Sequence, residues 1–157
     1  MSEPSRQESA SELDLNAIGQ GQFRFGWGAI VIFMVGGLIL ESLHGFKVGW
    51  YLDVGNDTRR LMFQLAHAHG TLLGLTNIAF GASIGAINGR HLSRIDLASR
   101  ALKFATILMP GGFFAGGLVI HGGDPGLGII AVPIGAFAAI LAAYLTWQAF
   151  KSASKRD

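Results

Sequence analysis

The stretch "LAHAHGTLLG", residues 65–74, carries two histidines two positions apart inside a run without formal charge, Leu61–Ile87. Imidazole is costly in an apolar surrounding, so His67 and His69 call for a partner, a cofactor or a metal. Other groups of the same kind lie near apolar runs: Glu41 and His44 three residues apart, and His121 followed by Asp124 in "HGGDPG". Neutral imidazole binds zinc, copper and iron, including haem iron, and carboxylates extend that ligand set. The chain has no cysteine, so thiolate ligands, iron–sulfur clusters and disulfides are excluded. A protein-based site here uses nitrogen and oxygen. No Walker loop, dinucleotide fingerprint, Gly-x-Ser-x-Gly or His-Glu-x-x-His is present.

The elements that must position these groups follow from composition. Hydrophobic residues make up 50% of the 157 and charged residues 14%, and mean hydropathy is +0.44. A soluble domain carries about 25% charged residues. The missing charge points to lipid as the main solvent. The 23 glycines fall mostly inside apolar runs, where small residues let membrane helices approach closely. Basic residues form no cluster with aromatics, which gives no support to nucleic-acid binding.

Four apolar runs of near-spanning length predict an all-α, integral membrane four-helix bundle, with helices over about 25–44, 61–87, 101–121 and 125–150. The polar segment 1–24, with Glu3, Glu8, Glu12 and Asp14, is expected to be a disordered cytoplasmic tail, and 151–157 a short basic one. Pro110 and the pairs Gly111-Gly112 and Gly116-Gly117 interrupt the third run, which neighbouring helices can tolerate. Of the 12 Lys and Arg, only Lys47, Arg59 and Arg60 fall in the loop between the first two runs. The positive-inside rule then puts both termini in the cytoplasm, in a bacterial inner membrane.

With 1.5 Å rise per residue, Glu41 and His44 lie about 24 and 28 Å along the first helix from Phe25. His121 lies about 25 Å along the third from Phe104, and His67 about 9 Å into the oppositely directed second. These groups share one slab beneath the outer surface, with Asp124 at its rim; His91 alone falls on the cytoplasmic side. Within the second helix His67 shares a face with Gln64, Gly70, Thr71, Gly74, Ile78 and Gly81, the small and polar side. His69 points roughly 200° away, toward Leu65, Leu73, Thr76 and Phe80. A regular helix therefore cannot let the two imidazoles grip one ion.

The run "AHAHGTLLGLTNIAFG", residues 66–81, resembles the His-x-His helix of small membrane proteins related to subunit I of haem–copper oxidases, where a similar run is often "HxHLNLLG". His67, His69, Leu72, Leu73 and Gly74 match, while Gly70-Thr71 replaces Leu-Asn. The resemblance implies haem or copper binding in a respiratory setting and carries no implication of oxygen reduction.

Three sites are open on this reading. A bis-imidazole haem b would draw on His67, His121, His44 or His69. A mononuclear copper or zinc site would use His67, His44 and His121 with Glu41 or Asp124. A metal-free cluster would relay protons or sense pH. The expected role is electron transfer, alone or as a subunit of a homo-oligomer or larger membrane complex. The competing class is a cofactor-free accessory or assembly protein packing through its Gly-rich faces, and a small proton or metal transporter is a third.

Overall fold

The structure, a computed structural model, describes residues 3–53, 55, 57–85, 92 and 94–154, with side-chain surroundings from Leu15 to Ala153. His91 lies outside the described residues. Four long helices make up most of the fold: α1 (Glu3–Gly45), α2 (Asp57–Gly85), α3 (Ile95–Leu118) and α4 (Ala131–Ser154). A short hairpin of β1 (Ile120–His121) and β2 (Asp124–Pro125), then one 3-10 turn (Leu127–Ile130), joins α3 to α4. Among the described residues three spans, Leu15–Gly45, Ile95–Leu118 and Leu127–Ala153, are long and apolar enough to cross a membrane; α2, expected as the second crossing, is not one of them.

The first correction concerns the polar segment. It is not separate from the fold, because α1 begins at Glu3 and runs unbroken to Gly45. Pro4 sits in the first helical turn, where a missing N–H is harmless. From Leu15 on, the segment has tertiary partners: Leu15 and Ile18 pack against the core, and Gln22 is fully buried. Residues chosen for their polarity are here helix formers anchored at one end by packing.

α1 and α2 are antiparallel and meet along glycines. A Cβ on Gly26 would lie 2.7 Å from the carbonyl oxygen of Gly74, and one on Gly81 would lie 2.6 Å from that of Gly19. Only hydrogen fits there, so the backbones touch and the small side of α2 faces α1. The other side of α2 packs on α3, and α3 packs on α4. The core runs through Leu73, Phe80 and Ile84 of α2, Ile95, Ala98, Leu102 and Met109 of α3, and Ala142, Leu145 and Ala149 of α4.

α1 and α4 leave broad apolar faces outside, with Val31, Ile32, Leu38, Phe137 and Ile140 all exposed. Among the described residues α2 is the one long helix without a stretch apolar enough to cross a membrane. Like α3, it is flanked on both sides, by α1 and α3, so protein neighbours can satisfy its polar groups.

The third apolar run was expected to stay helical to 121. It stops at Leu118, where Val119 turns extended (φ −121°, ψ 112°). Gly122 and Gly123 then adopt φ +58° and +92°, closing a two-residue hairpin in which His121 pairs with Asp124. Both turn positions need positive φ, which glycine adopts without strain. α3 also starts earlier than expected, at Ile95, because Ile95, Ala98 and Leu102 are drawn into the core. Pro110 lies inside α3 and is itself buried.

A candidate site around His67

His67 is half-buried and leans across to α1. Its Nδ1 lies 2.7 Å from the carbonyl oxygen of Phe33. A carbonyl only accepts, so Nδ1 carries the proton and, in the neutral ring, Nε2 keeps its lone pair. Gly37 makes room for the ring: a Cβ there would come 2.8 Å from Nδ1 and nearer still to Cε1. Thr71 closes the turn by donating its hydroxyl to the His67 carbonyl at 2.9 Å.

Two cavities meet at this imidazole. One, of about 460 Å³, is bounded by Met34, Gly37, Leu40, Glu41 and His44 of α1, Tyr51 of the following loop, and Gln64 and His67 of α2. Its polar groups lie at the end of α1 and the start of α2. The other, of about 700 Å³, is an almost wholly apolar cleft between α1 and α3. Phe25, Ile32, Phe33 and Ile39 form one wall, Ile107, Pro110, Gly111 and Phe114 the other, with Phe63, Ala66 and His67 of α2 behind them. His67 and Leu40 belong to both.

His69 goes elsewhere. Its Nδ1 donates back to the carbonyl of Leu65 at 2.9 Å, and its ring lies 4.9 Å from that of Phe113 on α3. The two histidines thus serve opposite neighbours, as their helical angle requires. His121 and Asp124 sit exposed in the hairpin and line neither cavity. Glu41, His44 and His67 are therefore brought to one cavity, and His69, His121 and Asp124 are not. Among the described residues, no three His, Asp or Glu side chains are grouped closely enough to hold a metal ion.

The outer connections are tied to the helix ends. The hydroxyl of Thr58 donates to the Gly123 carbonyl at 2.5 Å. Arg59 donates to the carbonyls of Gly117 (3.3 Å) and Trp50 (3.0 Å), and its guanidinium stacks 4.5 Å from the Trp50 ring. Trp50 in turn meets Phe63, and Phe63 meets Phe114, with ring centroids 5.8 and 5.2 Å apart. The loop after α1 is thereby held down, and Tyr51 is left only 2% exposed. Burial pushes its phenol pKa above the ordinary 10.0, and Glu41 adds to the rise while Arg60 opposes it.

A second polar layer lies deeper. Gln22 Nε2 donates to Asn77 Oδ1 (2.5 Å), Asn77 Nδ2 to Thr106 Oγ1 (2.7 Å), and Ser99 Oγ to Gln22 Oε1 (2.7 Å). Asn77 also donates to the Leu73 carbonyl at 2.6 Å. All four side chains are buried, and together they join α1, α2 and α3. Helical spacing along the second run could single out Asn77 but not Gln22 or Ser99, which lie in segments of ordinary polarity.

Comparison with protein-family models, with curated proteins and with solved structures finds no match to this chain.

Proposed function

We propose that this chain is an integral membrane protein that holds haem b through His67, in electron transfer or as a subunit of a larger redox complex. Both termini are cytoplasmic, and the His67 end of the bundle lies toward the outer face. α2 crosses with α3 as the inner pair, and α1 and α4 face lipid or partner subunits.

The observation that supports the haem reading is the combination at His67. Histidines that ligate metals usually give their other ring N–H to a carbonyl or carboxylate, which orients the ring and raises its basicity. The Phe33 carbonyl fills that role and leaves Nε2 as the donor atom. The adjoining apolar cleft, about 700 Å³, is within the range of roughly 300 to 1,000 Å³ that cofactor pockets occupy. When bound, haem iron would supply one-electron chemistry. The residues of the chain would orient the imidazole and keep water from the macrocycle. A copper or zinc site built from His44, His67, His121, Glu41 and Asp124 has less support, because these side chains do not form a group of three.

The test is the visible spectrum and metal content of the protein purified in detergent. A Soret band in the wild type that is lost in His67→Ala and kept in His69→Phe is the expected result. A colourless, metal-free protein would sink the proposal and favour a cofactor-free accessory role.

A further inference from the structure

The smaller cavity has its own chemistry, separate from that of the cleft. Glu41 and His44 line it from α1, Gln64 from α2 and Tyr51 from the loop. Tyr51 is the telling residue. It is 2% exposed, yet among the hydrogen bonds found between described residues none involves its hydroxyl. A buried phenol with no partner among the described residues is open to one supplied by a ligand.

The class of ligand follows from what the lining offers. Among the described residues no Lys or Arg lines the cavity, and Arg60, which acts on Tyr51 from outside the lining, is paired with Asp57 at 2.7 Å, so a phosphate head would meet the Glu41 carboxylate with no free cation to balance it. An ammonium head would find Glu41 but could not accept from Tyr51 or Gln64. A ring bearing hydroxyl or carbonyl groups fits both kinds of group: its hydroxyls donate to Glu41 or an imidazole, and its oxygens accept from Tyr51 and Gln64. The volume of about 460 Å³ accommodates such a ring. The apolar border is Met34 with Leu40, and Met34 is 60% exposed at the edge of the cavity. A hydrocarbon tail can leave on that side into lipid.

We propose that this cavity binds the ring of a membrane-soluble quinone or hydroquinone, with Tyr51 and Gln64 as donors and Glu41 with His44 as acceptors. The proposal rests on the membrane placement given above but does not require haem. His67 separates the ring from the apolar cleft, so a carrier bound here would sit beside the cofactor proposed there.

The experiment uses the full chain in phosphatidylcholine nanodiscs, titrated calorimetrically with decylubiquinone and with its hydroquinone. Saturable binding at one site is expected. Tyr51→Phe and Gln64→Leu should each weaken it roughly 5- to 10-fold, the worth of about one buried hydrogen bond. Should Tyr51→Phe fail to enter nanodiscs, Gln64→Leu decides. Absence of saturable binding overturns the proposal, as does an unchanged Kd in both variants or displacement of the ring by dodecylamine. Failure of the wild-type chain to enter nanodiscs would instead remove the membrane placement, and the proposal with it. The Soret measurement reads the haem assignment independently.

Discussion

The imidazole of His67 on α2 lies directly over Gly37 on α1, so the position of the ring is set by the absence of a side chain on the neighbouring helix. Gly37→Ala puts a methyl into space the ring occupies. Either the ring swings out of its bond to Phe33 or the helices part. The expected loss is about 1 to 3 kcal/mol, the usual cost of overpacking, read as a lower melting temperature in detergent. A haem Soret band should shift or vanish in the same variant. Gly45→Ala, at the end of the same helix, should do neither, because Gly45 meets nothing within 4 Å and lines neither cavity.

Asn77 is the hub of the deep polar layer. Replacing it with Leu leaves Gln22 and Thr106 each short of a buried partner, at about 1 to 3 kcal/mol per orphaned group. Bilayer measurements put single helix–helix hydrogen bonds nearer 0.6 kcal/mol, so a loss of about 2 kcal/mol is expected. Thr76→Val next to it should change stability by less than about 0.5 kcal/mol, since Thr76 is exposed and bonds only to the Leu72 carbonyl of its own helix. Thermal unfolding of the two variants side by side checks the contrast.

Tyr51 gives a pH dependence of definite sign. Burial raises its pKa in the folded protein above the ordinary 10.0. Above about pH 10 the unfolded chain therefore releases the phenol proton first, and stability falls as pH rises toward the folded-state value. Tyr51→Phe should remove that component. The measurement is the melting temperature at pH 9 and pH 11: the alkaline drop should be smaller in the variant than in the wild type.

The absence of native cysteine makes the proposed orientation directly measurable. Single cysteines at Gly49, in the loop after α1, and at Ser152, near the end of α4, should react with a membrane-impermeant maleimide from opposite sides. In intact spheroplasts Gly49→Cys should label and Ser152→Cys should not. Labelling of both, or of Ser152→Cys alone, would reverse or refute the assignment.

Hydrophobic run length and polar punctuation in the sequence were sufficient to predict four helices, because helix content depends on local composition; all four were expected to cross a membrane, and three of them, α2 excepted, are long and apolar enough to do so. The separation of His67 from His69 was legible for the same reason, since the angle between two positions on one helix does not depend on what surrounds it. Which neighbour each imidazole meets is another matter. Tertiary packing gave His67 to Phe33 and Gly37, and His69 to Phe113, through the register of three helices that no local pattern specifies. It also withdrew His121 and Asp124 into a hairpin, because extended Val119 and two glycines end α3 before His121 is reached. Segment 1–24 reads as polar tail by composition, yet Gln22 is buried once Asn77 and Ser99 stand opposite it. A polar side chain is stable inside a fold only if its partners arrive from other helices, and those partners exist only in three dimensions.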